Sequence, residues 1–360
     1  MKVIVIGLDG AGFELVDPWI VEGRLPNIAR IKEQGVWADM QSVLPPVTSP
    51  NWKAYSTGKN PGKLGIFWWE NIDWRTNRVY YPVSRKFENK EIWDYVGDAG
   101  MKAGVVGMPT TYPAKKVNGF LIAGGETGNK NYAYPPELEN ELNSRGWRNH
   151  PKTRFEVDKE KRASEIYEII DATFNTAQEL AGRYEVDFLQ ATTFHINNLH
   201  HFRWDNPRTR DAWELIDRHI GNYMKKGCDL LIMSDHGSNR ILQVFNINYW
   251  LYKEGYLKFK PNISSLLYRG GITKERLLAI TAKLKMVWIA HKVIPKKIIM
   301  EIPNATGGVK REAKATKIDW AKSKAFASGQ GPIYLNPDVQ NNKELRQEIK
   351  RKLEGLVGPA

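Results

Sequence analysis

Val3-Ile4-Val5-Ile6-Gly7-Leu8-Asp9-Gly10 is an apolar run that ends in Asp-Gly, and Leu230-Leu231-Ile232-Met233-Ser234-Asp235-His236-Gly237 is an apolar run that ends in Asp-His-Gly. Continuous apolar runs of this length read as parallel strands buried on both faces. Open α/β sheets place ligand sites at the carboxyl ends of such strands. Two carboxylates and an imidazole delivered there suit a hard cation or zinc. Between the two runs lies Pro45-Pro46-Val47-Thr48-Ser49-Pro50-Asn51-Trp52. Its prolines stiffen the loop and fix φ, which suits a pre-positioned hydroxyl nucleophile. Thr48 or Ser49 can supply that hydroxyl and share the cation.

Outward from these segments, strand-like and helix-like stretches alternate. Val3–Leu8, Ala103–Gly107, Asp187–Thr192 and Asp229–Met233 read as strands. Leu25–Gln34, Trp93–Ala99, Ala163–Arg183 and Asp211–Lys226 read as helices. This alternation predicts a three-layer α/β/α sandwich with a mostly parallel central sheet. After Lys260 the composition shifts to a basic helical stretch. Leu277, Thr281, Leu284, Trp288 and His291 share one helical face there. The expected organisation is a core over 1–262 and 318–360, with a basic helical cap inserted at 263–317. Ser323–Asn336 is expected to return to the main sheet.

The chain has 360 residues, a 42% hydrophobic fraction and a formal net charge of +13. That length suits one large α/β domain with an insertion, or two domains. The positive balance is compatible with a small phosphorylated substrate, with contact to a membrane surface, or simply with a lysine-rich exterior. No specific nucleic-acid binding is expected. Cys228 is the one cysteine, which excludes an intramolecular disulfide and a cysteine metal cluster within one chain. No basic leader followed by an apolar segment opens the sequence, and no apolar run reaches about 18 residues. A cytoplasmic location without a transmembrane helix is the expectation.

A third constellation follows the Asp187–Thr192 strand, Thr193-Phe194-His195-Ile196-Asn197-Asn198-Leu199-His200-His201. Three histidines in seven positions at a sheet's carboxyl edge suggest a metal ligand among them.

The ordered set of segments resembles the alkaline phosphatase superfamily, in its branch of type I phosphodiesterases and nucleotide pyrophosphatases. Gly7-Leu8-Asp9-Gly10 resembles the first metal-ligand strand, and Val47-Thr48-Ser49-Pro50-Asn51 the Thr-x-Pro-Asn nucleophile loop. Ser56-Thr57-Gly58-Lys59-Asn60-Pro61-Gly62-Lys63-Leu64-Gly65-Ile66 resembles the continuation of that loop, and Ser234-Asp235-His236-Gly237 the Asp-His ligand pair. The resemblance implies metal-dependent hydrolysis of a phosphodiester or nucleotide pyrophosphate bond through a phospho-threonine on Thr48. It implies one metal site from Asp9, Thr48, Asp235 and His236, and a ligand of a second site at His201. In the family that histidine closes an Asp-x-x-x-His pair, and here Asn197 stands four residues earlier, a candidate ligand of the second site through its carbonyl oxygen that adds no charge. The family's late Gly-x-His-x-x-x-Gly segment has no counterpart after Gly237, so the core is expected to be C-terminally incomplete. Zinc is the expected metal, with manganese or magnesium as alternatives, held in one tight site and one weak one. Trp69 stands where the nucleotide pyrophosphatases carry a phosphate-steadying asparagine, with Asn71 close by; both are candidate substrate contacts. Other readings keep the superfamily and change the substrate, to a phosphomonoester, a phosphonate or a phosphoglycerate. A last reading is a degenerate member that binds an anionic partner without turnover.

Overall fold

The computed structural model describes residues 1–73, 78–81, 84, 89–155, 157–204, 206–260, 318–327 and 332–357. Two compact units divide the chain, one of residues 1–69 and 81–243, the other of residues 70–80 and 244–360.

In the first unit the chain runs through β1 (Val3–Leu8), α1 (Phe13–Val21), α2 (Pro26–Gln34), α3 (Thr48–Thr57) and α4 (Pro61–Leu64). The second unit takes β2 (Asn71–Asp73) and β3 (Arg78–Tyr80). The first unit continues with α5 (Ile92–Asp98), β4 (Ala103–Pro109), β5 (Gly119–Gly124), β6 (Ala133–Tyr134) and α6 (Pro136–Ser144). It closes with α7 (Lys159–Tyr184), β7 (Phe188–Thr193), α8 (His195–Arg203), α9 (Pro207–Met224) and β8 (Asp229–Met233).

The strands form one six-stranded sheet in the order β6-β5-β4-β7-β1-β8, parallel except where the short β6 meets β5. The chain leaves β1 in one direction for β4 and β5, then turns back through β7 to β8 on the other side of β1. Right-handed crossovers therefore put α3 and α5 on one face and α7 and α9 on the other. The same reversal makes the carboxyl ends of β7, β1 and β8 adjacent, the place where open α/β sheets bind ligands.

The helix starts differ from the sequence expectation for identifiable reasons. α7 begins at Lys159 because the Asp158 side chain accepts from the Lys161 amide and caps the first turn. α9 begins at Pro207 because Asn206 caps it and a proline at the first helical position loses no hydrogen bond. On α7, Ile166, Ile170, Phe174 and Ala177 recur at helical spacing and are buried against the sheet.

β8 departs from the expectation of a strand buried on both faces. Among the described residues it is an edge strand, and Leu231 is 50% exposed. Composition alone does not tell a central strand from an edge one.

The second unit also contains α10 (Ile247–Lys253), β9 (Ala325–Ala327), β10 (Ile333–Leu335) and α11 (Asn342–Glu354). β9 and β10 pair antiparallel with each other in a separate two-stranded sheet, as do β2 and β3. The described residues of Ser323–Asn336 thus pair outside the main sheet. Ile72, Leu251, Leu257, Ile318, Phe326, Leu345 and Ile349 close a core of their own, and β9 is buried in it. The basic helical stretch expected at 263–317 lies outside the described residues. Among the described residues no helix is long and apolar enough to cross a membrane.

Candidate metal centre and nucleophile

Asp9 follows β1 and is fully buried. The turn after it needs glycine, since Gly10 has φ +68° and a Cβ there would lie 2.6 Å from Asn197 Oδ1. The Gly10 amide donates to Asp235 Oδ1 at 3.1 Å, and the Ala11 amide donates to Ser234 Oγ at 2.9 Å. Ser238 Oγ donates back to the Gly10 carbonyl at 2.6 Å. The loops after β1 and β8 are thereby interlocked, although their residues stand more than 200 positions apart in sequence.

Thr48 is the first residue of α3, with Val47 extended before it. Pro50 lies in the first turn, where helix N–H groups have no intrahelical acceptor to lose. Asn51 organises the entry. Its Nδ2 donates to the carbonyls of Pro45 at 3.0 Å and Val47 at 2.9 Å, while its Oδ1 accepts from the Val43 amide at 2.9 Å. The Thr-x-Pro-Asn pattern is thus a helix start held by its own asparagine.

These elements bring Thr48, Asp9, Asp235 and His236 together. Thr48 Oγ1 lies 3.3 Å from Asp9 Oδ1 and 3.1 Å from His236 Nε2. His236 Nε2 lies 3.4 Å from Asp235 Oδ2 and 3.8 Å from Asp9 Oδ1. One ligand atom from each of Asp9, Asp235 and His236 falls within 4.8 Å of the others. His236 Nδ1 faces the Gly237 carbonyl at 2.8 Å. A proton on Nδ1 satisfies that contact and leaves the Nε2 lone pair facing the carboxylates, the tautomer a metal ligand requires.

The electrostatics point the same way. Burial pushes the Asp9 carboxyl up to about 6, against the lowering effects of the neighbouring His236 imidazole and of hydrogen bonds from Trp52, Asn197 and Thr48. Burial and the neighbouring Asp9 charge raise Asp235 well above the ordinary carboxylate range. Asp235 Oδ2 is buried with no hydrogen-bond partner. Two dry carboxylates side by side, one with an unpartnered oxygen, form an arrangement that a cation stabilises. The donor set of two carboxylates, one imidazole and one hydroxyl fits zinc, and manganese or magnesium with added water.

Asn197 enters the site, but its Nδ2 donates to Asp9 Oδ1 at 2.7 Å. His201 is exposed; desolvation by the surrounding protein and the neighbouring His236 imidazole lower its pKa. His200 Nε2 accepts from the Trp213 indole at 3.0 Å, and burial pushes its pKa down to about 3. His195 Nε2 faces the Asn149 carbonyl at 2.8 Å, and burial, reinforced by the His150 charge, pushes its pKa down to about 4. His200 and His195 are thus turned toward the protein. Trp69 stands edge-on to Phe194, ring centroids 6.0 Å apart, one residue before α8 begins. Asn71 is fully buried in β2 of the second unit, where its Oδ1 accepts from the Tyr334 hydroxyl at 3.4 Å.

One site residue escaped the sequence reading. The Trp52 indole donates to Asp9 Oδ2 at 2.8 Å, and both side chains are fully buried. The spacing from Thr48 to Trp52 is four residues, which puts both on one helix face; that was the available signal.

Among solved structures, phosphonoacetate hydrolase from Sinorhizobium meliloti 1021 in complex with phosphonoformate is similar, with a TM-score of 0.55 at 18% identity, over 72% of this chain and 64% of that one. The same hydrolase in complex with phosphonoacetate gives a TM-score of 0.56 at 17% identity, over 73% of this chain and 66% of that one. This chain therefore spans just under two thirds of that hydrolase. Murine ectonucleotide pyrophosphatase/phosphodiesterase 5 aligns over 73% of this chain and 65% of that one, with a TM-score of 0.44 at 17% identity. At these identities the hydrolase structures speak for the fold alone. No curated protein is significantly similar in sequence. The profile of type I phosphodiesterase / nucleotide pyrophosphatase matches residues 3–301. That match spans most of the chain and includes every residue of the Asp9 cluster, so the protein belongs to the type I phosphodiesterase/nucleotide pyrophosphatase family.

Proposed function

We propose that this chain is a metal-dependent hydrolase of phosphodiester or nucleotide pyrophosphate bonds, with Thr48 as nucleophile. The observation that carries the reading is the Thr48 hydroxyl, set at the N-terminus of α3 and within 3.3 Å of both Asp9 Oδ1 and His236 Nε2. Asp9, Asp235, His236 and Thr48 would hold the cation. When bound, it supplies charge neutralisation for phosphoryl oxygens and lowers the pKa of the attacking hydroxyl.

The chain's own residues do the rest. Asp9 Oδ1 and His236 Nε2 are the acceptors placed to orient the Thr48 proton. The free N–H groups of the first α3 turn favour an anionic phosphoryl group above Thr48. Attack of Oγ1 on phosphorus expels the alcohol or nucleotide and leaves phospho-Thr48. Water then attacks that phosphorus, releases the phosphoryl product and returns the proton to Oγ1. Trp69 and Phe194 offer an aromatic wall close to the start of α8 for the organic part of a substrate.

Asn197 limits the second metal position, because it brings a donor amide rather than a charge. One tightly held cation is the expected stoichiometry. A panel of bis(4-nitrophenyl) phosphate, 4-nitrophenyl phosphate, a nucleotide pyrophosphate and phosphonoacetate, each with Zn²⁺, Mn²⁺ and Mg²⁺, tests the reading. Turnover of the diester or pyrophosphate that a chelator removes supports it. Turnover of phosphonoacetate alone moves the assignment to phosphonate hydrolysis. No turnover with any pair, in a chain that binds a cation, favours an anion-binding member without catalysis.

A further inference from the structure

Asp9 is engaged by protein donors on both of its oxygens. Oδ1 faces Thr48 Oγ1 at 3.3 Å and accepts from Asn197 Nδ2 at 2.7 Å, while Oδ2 accepts from the Trp52 indole at 2.8 Å. An indole N–H donates and cannot accept, and here it meets an oxygen with no access to water. The indole itself cannot move. A Cβ at Gly7 would stand 2.7 Å from Trp52 Cη2, so the ring lies directly on the backbone of β1. Tyr55 packs edge-on against it, centroids 5.9 Å apart at 84°, and the Tyr55 hydroxyl donates to Gln190 Oε1 of β7 at 2.8 Å. The donor is therefore anchored to two strands of the sheet.

We propose that Trp52 is a positioning residue for cation binding: its indole holds Asp9 Oδ2 out of the site, so that Asp9 meets the cation through Oδ1 alone. This rests on the reading of Asp9, Thr48, Asp235 and His236 as the cation site. Trp52 belongs to the helix that begins at Thr48. One rigid turn of helix thus fixes both the hydroxyl and the carboxylate it must share a cation with. Without the N–H, Asp9 turns about its side-chain torsions and its oxygens lose register with Asp235 and His236.

The test uses the full chain and reads cation affinity rather than activity. The dissociation constants of Zn²⁺ and Mn²⁺ are measured by competition with a chromophoric chelator in the wild type and in Trp52→Phe. Outer partners of metal ligands typically contribute about 10–100-fold in affinity, and a weakening in that range is expected. Trp93→Phe is the control, since Trp93 is equally buried in the same core. It should lower the melting temperature while leaving the dissociation constant unchanged. If Trp52→Phe does not fold, replacing Trp52 by benzothienylalanine keeps the ring shape and removes only the N–H. Wild-type affinity in either Trp52 variant overturns the inference and leaves the cation site standing. A wild type that binds neither cation overturns the site itself.

Discussion

Two buried carboxylate clusters border α3, and they are built on opposite terms. Farther along the helix, Lys53 Nζ donates to Glu91 Oε1 at 2.8 Å, and Ser56 Oγ donates to the same oxygen at 2.8 Å. Both partners of that ion pair are nearly inaccessible, with side-chain exposures of 1% and 6%. The protein supplies its own cation there. At the N-terminal turn, Asp9 and Asp235 face each other with dipolar donors and one imidazole, and an oxygen of Asp235 is left unpartnered. A buried carboxylate that answers a lysine is a fastening between elements. A buried pair answered only by dipoles and one imidazole has no lysine or arginine to offset its charge, and holding it costs stability.

Thr48 carries the largest expected effect. In the chain loaded with a divalent cation, Thr48→Ala should reduce turnover by about 10³-fold or more, several kcal/mol of barrier. Ser49→Ala should retain most of it, because Ser49 Oγ is buried and makes no hydrogen bond to Asp9, Asp235 or His236. Equal losses in steady-state assays would refute the assignment. The next effect is on stability. Lys53→Met strands Glu91 and should cost about 3–5 kcal/mol in denaturant unfolding. Asp235→Asn should do the reverse in the metal-free chain, raising stability by about 1–3 kcal/mol by removing one of two repelling buried charges. It should also abolish the thermal shift on adding Zn²⁺. If both substitutions destabilise alike, the two clusters are not the opposites described.

A smaller effect concerns pH. The folded-state Asp9 carboxyl stands at about 6, above its ordinary 3.8, because burial penalises its charge. Its stabilising contribution is therefore complete below the ordinary value and is lost as pH rises through about 6. Melting temperatures of the metal-free chain should fall over that window, and Asp9→Asn should flatten the slope. Saturating divalent cation should reverse its sign, since only the ionised carboxylates bind. The smallest effect sharpens the contrast. Asn197→Asp replaces a donor to Asp9 by a charge beside His201, and elemental analysis should show the stoichiometry rising from one cation toward two. Two tight cations in the unaltered chain would defeat the account of Asn197.

Much of the fold was legible because apolar runs between chain-breaking residues mark strands, whether central or at the edge. Val3–Leu8 and Asp229–Met233 are apolar runs with chain-breaking ends, and their boundaries in the structure are those expected. The order of Asp9, Thr48 and Asp235-His236 along the chain likewise led to one cluster, because parallel strands deliver their ends to a common edge. Helix starts were misplaced by a few residues where capping by Asp158 and Asn206 outweighed apolar periodicity. Ser323–Asn336 was assigned to the main sheet because apolar alternation marks a strand without naming its partner.

Which residue types stand at the strand ends, and with them the class of chemistry the chain can hold, follows from the order of residues along the chain. Which partner each polar group meets follows from how the distant segments pack. His195 and His200 look like ligands in sequence, yet a backbone carbonyl and the Trp213 indole claim their Nε2 atoms. Trp52 looks like core, yet its N–H fixes a carboxylate. The physical reason is that apolar burial is non-directional and readable from pattern, whereas a hydrogen bond has a direction and a length. Which donor meets which acceptor depends on atoms brought together from distant parts of the chain.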